Sequence, residues 1–154
     1  MDPLSIVSAS FGLASGIAKA TIALASFARD ARDAAQDLDA ISAELQALAA
    51  VLDALARSTI SMSSTKASIP ETLLQQIDAT LVGIATVVEQ IEENVQKYKR
   101  NKVFSKAGWA MFGQGDMRKL RESLEAYKMA LSLGMHVVSV YALLSLTTRT
   151  PADP

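Results

Sequence analysis

The chain has 154 residues, half of them hydrophobic and a fifth charged, with a formal net charge of -1. That length is one domain's worth and buries a sizeable core; the balance excludes a disordered chain and a generally basic nucleic-acid binder. With no cysteine, disulfides, thiolate metal sites and cysteine nucleophiles drop out, and a single histidine, His136, argues against an imidazole metal site or a Ser-His-Asp mechanism, which points away from an enzyme and towards a reducing, intracellular setting.

The prolines stand at positions 3, 70, 151 and 154, so the interior is almost free of helix breakers. Ala- and Leu-rich stretches without proline favour helix over strand. Helices are predicted over 3–28, 30–57, 70–100 and 116–147, with a short extra helix or turn near 103–112. The second follows Leu38, Ile41, Leu45, Leu48, Leu52 and Leu55, spaced by three and four. Ser58 to Ser68, with five serines and two threonines, reads as the loop after it. Pro70 and Glu71 then open the third helix, with proline in its first turn. Its stripe is Leu74, Ile77, Leu81, Ile84, Val88, Ile91, Val95 and Tyr98. Gly113 to Gly115 breaks the chain, and Asp116 is the expected N-cap of the last helix. That helix carries Met117, Leu120, Leu124, Tyr127 and Leu131, then Val138 and Tyr141. Stripes of this kind need other helices to cover them, so the fold class is all-α, a four-helix-type bundle. One domain is expected over 1–147, with 148–154 a flexible tail or linker.

The first helix is unlike the others. From Pro3 to Ala28 the only ionisable side chain is Lys19. About 20 apolar residues suffice to cross a bilayer, yet Ser5, Ser8, Ser10, Ser15, Thr21 and Ser26 dilute this stretch. Ser8, Gly12, Gly16 and Ala20 recur every fourth residue, and Gly12 with Gly16 forms a G-x-x-x-G pair that lets helices approach closely. Such residues also allow tight packing inside a soluble bundle, and at rest this small face is expected to pack against the other three helices. A second uncharged run, Met129 to Leu146, continues the stripe of the last helix and is expected at the bundle centre, with His136 at its core or boundary.

Charge is unevenly spread. Residues 1–96 hold five basic and twelve acidic side chains, whereas 97–121 hold eight basic side chains and Asp116. Lys97, Lys99, Arg100, Lys102 and Lys106 precede Trp109 and Phe112, a combination suited to an anionic membrane surface. The plainer reading is a solvated helix end and loop, with Trp109 and Phe112 capping the core. Nucleic acid is not expected, because the rest of the surface is acidic. No constellation for a metal, cofactor or catalytic centre emerges.

The opening Met1-Asp2-Pro3-Leu4-Ser5-Ile6-Val7-Ser8, the run from Phe27 to Asp39 into Glu44-Leu45-Gln46-Ala47-Leu48, and Trp109-Ala110-Met111-Phe112-Gly113 before a Leu-rich helix resemble the N-terminal domain of fungal NOD-like (STAND) receptors. The resemblance implies a HeLo-like bundle, akin to plant coiled-coil resistosome domains and the mixed-lineage kinase domain-like executioner. By that likeness, oligomerisation exposes the N-terminal helix and permeabilises a membrane in regulated cell death. Leu4, Ser8, Phe11, Gly12, Leu13, Gly16, Ile17, Ala20, Leu24 and Phe27 would form the inserting or oligomerising helix. Lys97, Lys99, Arg100, Lys102, Lys106 and Trp109 would form the anionic-lipid patch. Expected partners are further copies of the chain, anionic lipids, and a sensor domain or partner receptor. The expected location is cytoplasmic at rest and the plasma-membrane periphery once active. The alternative is a soluble helical interaction module that never meets a membrane.

Overall fold

The computed structural model describes residues 2–30, 34–64, 69–100 and 113–148, and these form four long helices. They are α1 (Pro3–Asp30), α2 (Ala35–Ser64), α3 (Glu71–Arg100) and α4 (Gln114–Thr147). Each start is set by local chemistry. The Leu4 amide donates to Asp2 Oδ1 at 3.3 Å, so Asp2 caps α1 and Pro3 takes the first helical position, where a missing N–H costs nothing. The Leu74 amide donates to the Pro70 carbonyl at 3.1 Å, which opens α3 one residue after its proline.

Two boundaries differ from the expectation. α2 continues through the serine- and threonine-rich stretch to Ser64. Thr59 donates to the Leu55 carbonyl at 2.8 Å and Ser63 to the Thr59 carbonyl at 3.1 Å, while Met62 is buried. Hydroxyls satisfied within their own helix do not compete with it, and Met62 rewards its extension. α4 starts at Gln114, so Asp116 sits in the first turn, and Gly113 at the cap has no side chain to accept a bond. The proposed helix near 103–112 and the tail beyond Thr148 lie outside the described residues.

Contacts between specific residues fix the packing order. Phe27 stacks on Tyr98 with ring centroids 6.4 Å apart, and Gly16 approaches Val88, so α1 and α3 run in the same direction. Gly83 lies under Tyr127 and Gly134 beside Ile77, so α3 and α4 are antiparallel. Asp37 and Ile41 share a cleft with Met117 and Arg121, and Glu44 pairs with Lys128 at 2.9 Å, so α2 runs parallel to α4. Each helix therefore has two neighbours. α1 and α4 face each other across the diagonal, as do α2 and α3.

The core is one continuous cluster. α2 supplies Leu38, Ile41, Leu45, Leu48, Leu52 and Leu55, all essentially inaccessible, and α3 supplies its whole stripe from Leu74 to Tyr98. The bundle is thus the all-α four-helix packing that the spacing requires.

Candidate functional site

α1 has two unlike faces and two unlike halves. Its seam is Ile6, Ser10, Ile17, Ala20, Leu24 and Phe27, all buried, with Leu13 partly so. Opposite it, Leu4, Phe11 and Ile22 are between 50% and 70% exposed. The small-residue stripe does not pack as a unit. Ser8 and Gly12 face outward, and a Cβ on Gly12 would meet nothing within 4 Å. Gly16 only reaches Val88 at 4.0 Å, and Ala20 belongs to the apolar seam. The expectation that α1 rests with this small face against the other helices is therefore corrected. A seam of Ile, Leu and Phe buries more apolar area than serine and glycine, so it wins the inward position.

The C-terminal half is tied down. Phe27 stacks on Tyr98, and Lys99 donates to Ser26 Oγ at 3.3 Å. The N-terminal half contributes only Ile6, Val7 and Ser10 to the interior. Lifting out all of α1 would expose Ile6, Val7, Ile17, Leu24 and Phe27, at roughly 10 kcal/mol in total. A domain's whole stability is about 5–15 kcal/mol. Release of the entire helix is thus as costly as unfolding, whereas exposing Ile6 and Val7 alone costs roughly 3–6 kcal/mol.

Two of the hydroxyls of α1 need no partner outside the helix. Ser10 donates to the Ile6 carbonyl at 2.7 Å and Thr21 to the Ile17 carbonyl at 2.9 Å. Both hydroxyls are satisfied by their own helix, wherever that helix lies.

The basic patch is only partly described. Lys97 and Arg100 are exposed, Lys99 is half-buried, and Lys102, Lys106 and Trp109 lie outside the described residues. Lys97 and Arg100 share their surface with Glu89, Glu92 and Glu93, so this part of the patch is of mixed sign. It also sits at the end of the bundle where α1 finishes and α3 ends, which is opposite Leu4 and Ser8. A helix of this length spans about 40 Å, several times the screening distance of about 10 Å. One flat membrane does not touch both ends of an upright bundle.

The feature that spacing missed is the second half of α4. Leu131 and Val138 are buried, but Met129, Leu133, Val140, Tyr141, Leu143, Leu144 and Leu146 are all exposed. The expected burial of Met129 to Leu146 at the bundle centre is corrected, and so is His136, which is exposed and donates from Nδ1 to the Ser132 carbonyl at 2.7 Å. Met129, Leu133 and Val140 lie on the outer face of α4, away from Leu131 and Val138; past Val140 the cause is register. Ile77 lies beside Gly134, so Glu71, the first residue of antiparallel α3, falls opposite Val140. Beyond that level α4 overhangs α3. A groove of about 400 Å³ between α3 and α4, lined by Leu73, Ile77, Leu133, Gly134 and Val137 among others, opens beside this segment.

Electrostatics add one perturbed group. Burial pushes the Tyr98 phenol above its usual value of 10.0, and the negative charge of Asp116 pushes it further. This tyrosine belongs to the charged end and holds α1 to α3. Among the described residues, no three His, Asp or Glu side chains come together as a metal site would need.

No curated protein and no solved structure matched the chain. One family model does match, over residues 1–149, and its description is "Pigment biosynthesis cluster protein PigL N-terminal". This is a helical domain family, not a catalytic one. The match covers nearly all of the bundle, so the chain belongs to the PigL N-terminal family, a HeLo-like helical N-terminal domain of fungal proteins.

Proposed function

We propose that this domain is the N-terminal effector of a fungal NOD-like receptor or cell-death protein, which oligomerises and acts on membranes through its N-terminal helix to trigger regulated cell death. The observation that carries the reading is the composition and placement of α1. It is long and apolar enough to cross a bilayer, yet only 22% of its most apolar window is buried in the bundle. Its outward face is nearly free of charge, whereas the outward faces of α2 and α3 carry Asp39, Arg57, Glu89 and Glu93. Membership of a HeLo-like family supports the same reading. The active element is the N-terminal half, Leu4 to Gly16, whose interior contacts are few, while Leu24 and Phe27 keep the helix attached. The open Ser8 and Gly12 face lets helices of neighbouring copies approach closely.

Dye leakage from anionic vesicles, with the domain fused to a tag that enforces oligomerisation, tests this. Removing residues 2–28 would also remove the seam, so exposed positions are the informative ones. Phe11→Asp and Gly12→Leu leave the core untouched and are expected to abolish leakage while the bundle stays folded by circular dichroism. Undiminished leakage by both variants would remove α1 from the mechanism and leave a docking module.

A further inference from the structure

The second half of α4 is apolar on faces the bundle leaves open. Leu133 and Val140 each stand two residues beyond an inward-facing residue, Leu131 and Val138, and hence about 200° round the helix. Met129, Leu133, Val140 and Leu144 form an outward stripe at spacings of four, seven and four. In the last two turns Tyr141, Leu143 and Leu146 extend exposure to other faces as well. A helix that is apolar all round is one that lies inside something.

Its surroundings say what that something is. Between Met129 and Leu146 there is no Asp, Glu, Lys or Arg, and His136 is the one side chain that ordinarily titrates near neutral pH. At the far tip the neighbouring helix ends are as sparse in charge: Pro3 to Ala18 and Ser58 to Ser64 have none and α3 has Glu71, whereas Asp53, Arg57 and Asp78 lie lower, level with the first half of the segment. A docked protein covers one face and ordinarily meets a polar rim, whereas this tip is uncharged and apolar on several sides. The last two turns, Val140 to Leu146, are about 10 Å long, a depth that reaches the outer part of a hydrocarbon layer about 30 Å thick. Only 17% of the most apolar window of α4 is buried.

We infer that the tip formed by Val140–Leu146 of α4 is a lipid-embedding element, which enters the hydrocarbon of a membrane with the bundle still folded. The tip carries α1's first turn towards the same membrane, because Leu4 lies at the same end. The inference rests on the membrane role proposed above, and the test separates the two.

The chain has no cysteine, so single cysteines carry an environment-sensitive fluorophore cleanly. Labels go on Leu144→Cys at the tip, Phe11→Cys on α1 and Gln90→Cys on the outer face of α3. Phosphatidylcholine vesicles are then added, with and without phosphatidylserine. The expected result is a blue shift at position 144, quenched by spin labels on the acyl chains, equal in both vesicle types and insensitive to salt; position 90 stays unchanged. A shift at position 11 with none at 144 overturns the inference and leaves the proposed function standing. A shift at 144 that grows with protein concentration before any lipid is added also overturns it, because a second copy then covers the face. No shift at any position, together with no leakage, sinks both. As a second measurement, L143E/L144E changes only exposed positions and is expected to cut vesicle partitioning at least tenfold at unchanged denaturation midpoint; undiminished partitioning overturns the inference.

Discussion

The two ends of the bundle are built from the same four helices and differ in almost everything else. At one end α1 and α3 finish and α2 and α4 begin, and there Lys97, Arg100, Arg118, Lys119 and Arg121 mix with Asp37, Asp39 and Asp116. At the other end the helices carry serine, threonine and large apolar residues with very little charge. The first end is closed by specific contacts, the Phe27–Tyr98 stack and the Lys99–Ser26 bond. At the second, α4 runs past α3. The helices divide the same way. Among the described residues, the large exposed apolar side chains of α2 and α3 are Ile60 and Val82, whereas α1 and α4 carry the others. An ordinary soluble bundle spreads such residues singly; their concentration on one diagonal pair and at one tip gives the fold a direction.

That contrast breaks first on stability. Leu24 is fully buried at the anchored end of α1, and Leu24→Ala is expected to cost about 2–5 kcal/mol. Leu144→Ala at the tip is expected to change stability by less than about 0.5 kcal/mol. Urea midpoints of the two variants decide it; comparable losses would mean that the tip is core after all.

The next effect concerns the α3–α4 contact. A Cβ on Gly83 would fall 2.5 Å from the Tyr127 ring, so Gly83→Ala forces that ring aside at about 1–3 kcal/mol. In a Tyr127→Leu background the same change should lose its penalty, since alanine favours helix over glycine by about 1 kcal/mol. A penalty that survives would place the strain elsewhere.

Gly12 sharpens the difference between fold and function. It faces open space, so Gly12→Ala is expected to stabilise the isolated domain by about 0.5–1 kcal/mol. Vesicle leakage should fall at the same time. A residue needed only for folding would not show opposite signs in the two assays.

The smallest effect is the alkaline behaviour of the closed end. Tyr98 is 4% exposed and its phenol titrates above 10.0, so the folded state holds its proton more tightly than the unfolded chain. The contribution is complete below about pH 10 and is lost as pH rises through the folded value. Between pH 9 and pH 11, Tyr98→Phe should lose less stability than the parent chain, as followed by urea titration.

Much of the fold was legible because α2 and α3 each carry one stripe and one charged face, so periodicity alone says what is inside. Helix ends were less so: the hydroxyls that suggested a loop after Arg57 fold back on their own carbonyls instead. α4 defeats periodicity for a different reason. Its inner stripe persists through Leu131 and Val138, which looks like continued burial, but a stripe reports one face and says nothing about how far the partner helices extend. The overhang follows from where α3 begins relative to α4, a property of register between distant segments. The same holds for the small residues of α1. Ser8 and Gly12 form a clean four-residue repeat, but the Ile-Leu-Phe seam competes for the interior and wins it. The distance between the basic residues and Leu4 likewise needed helix directions, which only the packed structure supplies.

Hydrogen–deuterium exchange of the intact domain, with and without phosphatidylcholine vesicles, addresses the polarity of the molecule in one measurement. New protection confined to residues 3–16 and 140–148, with 38–55 and 84–98 unchanged, is the predicted result. New protection centred on 97–100 and 114–121, or a general loss of protection through α2 and α3, would contradict it.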